Sequence, residues 1–299
     1  CWDGQVHSAI FPAMSSGTSG EPTFWARGGF QEFEAAVIHE LVYRYLFDIQ
    51  KYQTLLIIGF PMGVYVSGVA TLLSSWLVSQ KGYNLTVASV GTSKVDLLKV
   101  AKLLQKNYQQ VILAGHPFFM KDVVETGKEE GIQWQKKRIK LMFCSEGFSE
   151  EWRRYVLDQI KPALGAENIV STYGSSELLL IAYETPGSIA LKSAIERDKE
   201  TKIELLRRWS PSNLFQYNPF FRYIESEKEE LLFTSASGVP LIRYNLHDMG
   251  RIIPVAQVKR AFPKLNVQWQ LPFLALGGRS DYAVVFYAAN IYPEHIRQA

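Results

Sequence analysis

Short apolar runs alternate with longer amphipathic stretches over the first 175 residues. Leu55–Gly59, Val111–Gly115, Ile139–Cys144 and Ile169–Tyr173 are too short for helices and apolar almost throughout, as strands buried on both faces are. Leu85–Val90 alternates and is rich in β-branched residues, which also predicts a strand. Ala9–Phe11 reads as one more. Between these runs, apolar positions recur at helical spacing. Phe33–Gln50 places Phe33, Val37, Ile38, Leu41, Val42, Tyr45 and Leu46 on one stripe. Val64–Val78, Ser93–Lys106, Phe118–Gly131 and Ser149–Leu164 are predicted helices by the same rule. Ser93 and Ser149 offer N-cap oxygens. Glu150 and Glu151 suit the positive end of a helix, and Gly131 suits a helix end. Such β-α alternation implies an α/β fold with mostly parallel sheets flanked by helices. Ligand loops in such sheets lie at the carboxyl ends of strands.

The pattern changes near residue 185. Lys192–Trp209 is charged and mixed, and from Arg222 onward short strands and turns follow: Leu231–Thr234, Leu241–Tyr244 and Gly250–Ile253. The expected organisation is an α/β core over residues 1–221, a small β-rich subdomain over 222–280, and a linking segment over 281–299 that begins a further domain. No internal repeat is visible.

Composition narrows the class. The chain has 299 residues, of which 47% are hydrophobic and 20% charged, so a globular protein is expected rather than a disordered one. Its net charge is +3, and its densest basic patch, Gln135-Lys136-Lys137-Arg138, is too small for a nucleic-acid face. Residues 54–80 carry no formal charge, but Gly59, Phe60, Pro61, Met62 and Gly63 interrupt them. A strand–turn–helix unit is therefore expected there, not a membrane span. The two cysteines cannot build a disulfide framework, which fits a reducing, cytoplasmic setting. The chain begins at Cys1, with no basic-then-apolar leader, and reads as a piece of a longer protein.

The richest chemistry follows the first strand. Ser15-Ser16-Gly17-Thr18-Ser19-Gly20 supplies four hydroxyls and two glycines in six positions. Glycines let backbone N–H groups turn toward an anion, and hydroxyls add donors. The Gly-Lys-Ser/Thr ending of a Walker loop is missing. A flexible surface turn fits the same residues, so the loop alone leaves both readings open.

Met14–Thr23 resembles the signature loop of the adenylate-forming superfamily, which includes acyl-CoA synthetases and phenylacetate-CoA ligases. Four further segments match in order. Cys144-Ser145-Glu146-Gly147-Phe148-Ser149-Glu150-Glu151 resembles its adenine-side loop. Tyr173-Gly174-Ser175-Ser176-Glu177 resembles its Tyr-Gly-x-Ser/Thr-Glu motif. Arg243–Arg251 resembles its ribose-binding aspartate segment. Gly278-Arg279-Ser280-Asp281, with Asn290-Ile291-Tyr292-Pro293 after it, resembles its hinge. Spacing and Ser176 are most similar to the phenylacetate-CoA ligase branch.

The resemblance implies an AMP-forming acid–thiol ligase that joins a carboxylate to the α-phosphate of ATP and passes the acyl group to a thiol, with CoA expected. It implies that Ser15 to Gly20 hold the β- and γ-phosphates and that Glu177 binds Mg²⁺. Ser176 would meet the α-phosphate. Tyr173, Gly174 and Ser175, with Ser145, Glu146 and Gly147, would surround the adenine. Asp248 would accept both ribose hydroxyls, which a carboxylate does well. Arg279 would reach ribose or phosphate through its planar fork, and Arg251 falls within the same nucleotide segment. Asp281 would be the hinge. Phe60, Tyr65 and His116 are candidates for the pocket of a small aromatic or fatty acid. A protein or amine acceptor, or a nucleotide-binding module without chemistry, are the alternatives. A homodimer is compatible with the sequence.

Three departures stand out. Glu21 occupies a position where the family usually carries lysine. Ala288 stands where a glycine helps pantetheine pass, which bears on CoA use. The chain stops at Ala299, just past the hinge, and the family's lysine-bearing C-terminal domain has no counterpart here. That domain is expected in the native protein.

Overall fold

A computed structural model describes residues 11–15, 23–207, 213–236, 238–279, 284–286 and 289–291. Strands β1 (Phe11–Met14) and β2 (Phe24–Arg27) form an antiparallel hairpin and lead into helix α1 (Gly29–Tyr45). An alternating series follows: β3 (Thr54–Ile58), α2 (Val66–Ser79), β4 (Leu85–Ser89), α3 (Lys94–Leu104), β5 (Gln110–Gly115), α4 (Pro117–Glu129), β6 (Arg138–Cys144), α5 (Glu150–Ile160) and β7 (Ile169–Ser175). These strands pair in parallel in the order β4-β3-β5-β6-β7.

The chain then turns back through residues 176–178 into β8 (Leu179–Tyr183), antiparallel to β7. Helices α6 (Pro186–Arg197) and α7 (Lys199–Leu206) come next. They are followed by β9 (Leu214–Tyr217), β10 (Tyr223–Glu227), β11 (Glu230–Ser235), β12 (Leu241–Ile253), α8 (Val255–Ala261) and β13 (Phe273–Arg279). One sheet of eleven strands results, ordered β10-β11-β12-β13-β9-β8-β7-β6-β5-β3-β4. Its parallel half is the α/β part expected from the sequence, and its antiparallel half carries the β-rich segment. Strands β14 (Val284–Phe286) and β15 (Ala289–Ile291) pair with each other.

The continuous apolar runs have a simple cause. Leu55 and Ile57 of β3, and Val111 and Leu113 of β5, pack against Leu97 and Leu98 of α3, Met120 and Val123 of α4, and Val156 and Leu157 of α5. The intervening residues Leu56, Ile58, Ile112 and Ala114 pack on the other face against Ile38, Val42 and Tyr43 of α1 and Val78 of α2. Successive side chains point to opposite faces, so a strand covered on both sides needs apolar residues at every position. Among the described residues no helix is long and apolar enough to cross a membrane, and the uncharged 54–80 stretch is the β3–α2 unit.

A buried ionic cluster ties the two halves together. Glu184, just after β8, is fully buried. It accepts from Arg153 Nη2 of α5 at 2.6 Å, from the Ser171 N–H of β7 at 2.7 Å, and from Lys192 of α6. Burial pushes the Glu184 carboxyl up, and Arg153 and Lys192 more than reverse this, so it stays ionised.

Candidate functional site

The Tyr173–Glu177 segment sits where the sheet changes from parallel to antiparallel pairing, at the carboxyl end of β7. Ligand loops of such sheets lie beyond the carboxyl ends of the parallel strands, where this segment stands. Here the chain reverses through a very short turn. A Cβ at Gly174 would stand 2.5 Å from the Leu179 carbonyl oxygen, so a side chain does not fit. Leu179 adopts φ 56°, a left-handed conformation that costs a non-glycine residue about 1–2 kcal/mol. Ser175 Oγ accepts the Leu178 N–H at 3.2 Å and closes the turn locally.

Three residues distant in sequence meet beside it. The Tyr173 hydroxyl donates to Asp248 Oδ2. Asp248 Oδ1 lies 3.7 Å from Arg279 Nη1, and the two residues face each other across the β12–β13 pairing. Burial pushes the Tyr173 hydroxyl far above its usual range, and the Asp248 charge adds to this, so Tyr173 acts as a neutral donor. Glu177 and Arg279 also act electrostatically on Tyr244, whose hydroxyl burial raises. Trp25 of β2 stacks edge-on to Tyr244, with ring centres 5.6 Å apart.

The aspartate segment lies in one strand of 13 residues, where the sequence suggests two strands and a turn. The backbone explains the appearance. Register shifts interrupt β12, His247 has φ 63°, and its N–H donates to Asn245 Oδ1 at 2.7 Å. Turn-forming residues are absorbed as irregularities within a strand.

The base of the Ser/Gly loop stands next to this turn. Ser15 N–H donates to the Thr23 carbonyl and Thr23 N–H to Ser15 Oγ, both at 2.9 Å. Met14 N–H donates to the Val64 carbonyl at 2.9 Å, and Ser176 Oγ donates to the Met14 carbonyl at 3.2 Å. Ser16, Gly17, Thr18, Ser19 and Gly20 lie outside the described residues, as do Glu21, Asp281 and Ala288.

The remaining candidates divide. Ser145, Glu146 and Gly147 follow β6, the neighbour of β7. Ser145 has φ 79°, Glu146 is buried, and a Cβ on Gly147 would lie 2.3 Å from Asn213 Oδ1. Phe60 and His116 come together, because they follow the paired strands β3 and β5. Their rings meet edge-on with centres 5.5 Å apart, and burial pushes the His116 pKa down. Tyr65 is half exposed and bridges to Met14 instead. Arg251 is placed elsewhere: its Nη1 donates to the carbonyls of Glu204 and Leu205 at 3.0 and 2.9 Å, at the end of α7.

The oxygen chemistry of this site fits Mg²⁺. The Glu177 carboxylate is partly exposed and makes no hydrogen bond or ion pair among the described residues. No group of three or more His, Cys, Asp or Glu side chains gathers there as a cage among those residues. One carboxylate completed by phosphate oxygens and water is the arrangement Mg²⁺ adopts with nucleotides.

No family profile and no curated protein sequence matches the chain. Solved structures do. A 2-hydroxyisobutyryl-CoA ligase in complex with 2-HIB-AMP and CoA superposes with a TM-score of 0.66 at 14% identity, over 97% of this chain and 57% of that one. The fold is that of the CoA ligases. The O-succinylbenzoate coenzyme A synthetase MenE of Bacillus subtilis, in complex with ATP and magnesium, shares it with a TM-score of 0.56 at 14% identity, over 95% of this chain and 52% of that one. ATP-bound MatB of Rhodopseudomonas palustris does so at 0.51 and 10% identity, covering 96% and 51%. The chain therefore spans little more than half the length of these CoA ligases. The adenylate-forming resemblance read from the motifs and the observed fold agree.

Proposed function

We propose that this chain is the nucleotide-gripping, acyl-activating part of an AMP-forming acid–thiol ligase. The observation that carries the reading is the meeting of Tyr173, Asp248 and Arg279 beside the base of the Ser/Gly loop. These residues come from separate motifs, and a nucleotide site needs ribose and phosphate partners side by side. The CoA-ligase fold supports the same reading.

In this proposal Asp248, oriented by Tyr173 and Arg279, accepts the ribose hydroxyls, and charge-assisted bonds of this kind are the strong ones. Ser15 to Gly20 hold the β- and γ-phosphates. Ser176 turns its hydroxyl from the Met14 carbonyl toward the α-phosphate, and Arg279 balances the charge there. Glu177 would hold Mg²⁺, which when bound neutralises phosphate charge. The substrate carboxylate is already a nucleophile, so its attack on the α-phosphorus needs alignment and electrostatic stabilisation more than acid–base help. The α–β phosphoric anhydride breaks, pyrophosphate leaves, and an acyl-adenylate remains. A thiol then displaces AMP. CoA as that thiol, an aromatic or fatty acid as substrate, and membership of the phenylacetate-CoA ligase branch are the finer parts of the proposal. So are a pocket near Phe60 and His116, a hinge at Asp281, a 1–221 and 222–280 division, and a cytoplasmic location.

Acid-dependent exchange of labelled pyrophosphate into ATP tests the reading on the full-length protein with Mg²⁺ and a panel of aryl and fatty acids. Exchange with one acid class supports it. ATP binding without exchange for any acid favours a nucleotide-binding module, the outcome to which Glu21 points. Adenylate turnover that CoA does not accelerate favours a protein or amine acceptor.

A further inference from the structure

The turn bearing Glu177 is gripped from outside by two buried side chains that no sequence motif indicates. Arg222 is fully buried. Its Nε and Nη2 donate to the Leu178 carbonyl at 3.2 and 2.5 Å. Its Nη1 donates to the Phe221 carbonyl at 2.6 Å and to the Glu34 carboxylate of α1. Gln31, also on α1 and buried, donates from Nε2 to the Glu177 carbonyl at 3.0 Å. Gly238 backs Gln31 so closely that a Cβ would stand 2.4 Å from Gln31 Oε1.

We propose that Arg222 and Gln31 are positioning residues for Glu177, fixing where its carboxylate points by holding the carbonyls of Glu177 and Leu178. Those two carbonyls set the peptide planes that follow Glu177 and Leu178. With both held, the Cα–Cβ direction of Glu177 is fixed relative to α1 and to Arg222, the residue before β10. Leu179, next in the chain, sits in the left-handed region, and such strain persists only where the surroundings over-determine the backbone. Three donors on two successive carbonyls supply that constraint. Burying a guanidinium is costly unless its donors are satisfied. Arg222 spends two of its donors on one turn carbonyl, a placement that core packing alone does not call for. The inference rests on Glu177 serving as the metal carboxylate in the proposed function. Partners that orient metal ligands typically contribute about 10–100-fold to metal affinity.

Calorimetric titration of ATP into the full chain, at stepped Mg²⁺ and in EDTA, tests this with wild type, Q31L, R222K and R222M, alongside thermal melts. Q31L roughly keeps the volume and removes the amide, of which only the Nε2 donor is hydrogen-bonded, Oε1 having no partner among the described residues. It is expected to raise the Mg²⁺ concentration for half-maximal ATP binding about tenfold or more, with metal-free ATP binding and melting temperature near wild type. R222M should move the same midpoint further, with R222K recovering part of the shift. Where R222M does not fold, Q31L decides. A wild-type Mg²⁺ midpoint in Q31L, or equal weakening of ATP with and without Mg²⁺, overturns the inference while leaving the functional reading intact. No ATP binding by wild type overturns the functional reading, and this inference with it.

Discussion

Glu184 and Lys192 are partners in one buried cluster, yet removing each should have very different consequences. Glu184 is fully buried and accepts from Arg153, Lys192 and the Ser171 N–H. Glu184→Gln preserves shape but removes the fully buried carboxylate that Arg153 and Lys192 share, although Arg153 keeps its pair with Glu150. Breaking a buried ionic cluster in this way costs about 3–5 kcal/mol, which for a chain of this size lowers the melting temperature by roughly 5–8 °C. Lys192→Met removes a cation whose charge burial already disfavours. Glu184 then keeps Arg153 and the Ser171 N–H, so no charge is left unpaired in the interior and the loss should be smaller than for Glu184→Gln. Guanidinium unfolding at neutral pH, followed by circular dichroism, reads both. A Glu184→Gln loss below that of Lys192→Met would refute the reasoning, because it would mean that the carboxylate is not the hub of the cluster.

Other outcomes follow from single contacts. Burial lowers the His39 pKa from its ordinary 6.5 to about 4. Between those values the unfolded chain binds a proton that the folded chain does not, so stability falls as pH drops through that window, by about 3 kcal/mol in all. His39→Phe should flatten this part of the stability–pH curve and leave its slope above pH 6.5 (the ordinary value) unchanged; equal slopes in both proteins would contradict it. Gly174→Ala forces a Cβ against the Leu179 carbonyl, so the Ser176–Glu177 turn must shift and ATP binding should weaken while the far-UV spectrum is retained. Asp248→Asn removes the charge between Tyr173 and Arg279; losing charged hydrogen bonds of this kind should weaken ATP binding by at least about tenfold, with little change in melting temperature.

The parallel half of the sheet is legible in the sequence because strands covered on both faces leave continuous apolar runs between amphipathic helices. Ser93 and Ser149 do cap α3 and α5, accepting from the N–H groups of Asp96 and Trp152. Elsewhere local signals mislead or are weak. Helix α1 starts at Gly29, before the Phe33 stripe, and leaves Phe30 and Phe33 exposed. Helix α6 hides in a mixed charged stretch, although its Thr185-Pro186-Gly187-Ser188 opening forms a capping box that spacing could have disclosed. The short strands β8 and β9 are bounded by turn residues such as Pro186-Gly187 and Pro211-Ser212-Asn213, but apolar runs of four or five residues do not distinguish a strand from a helix segment. In the candidate site, Tyr173, Asp248 and Arg279 are motif residues, and the fold brings them together. Gln31 and Arg222 are not, because side chains recruited from distant elements leave no periodic trace; Tyr244 lies in the Arg243–Arg251 segment, but nothing in the sequence singles it out. Arg251 lies in a motif, yet the alternation along β12 carries it to α7.

The central claim is that Tyr173, Asp248, Arg279 and the loop base form one nucleotide site that activates a carboxylate. Pyrophosphate exchange by the full-length protein, compared between wild type and Asp248→Asn over a panel of aryl and fatty acids, tests it most directly. The account predicts Mg²⁺- and acid-dependent exchange in wild type and a large loss in Asp248→Asn at unchanged melting temperature. Exchange that survives Asp248→Asn undiminished, or its absence from wild type with every acid, would contradict it.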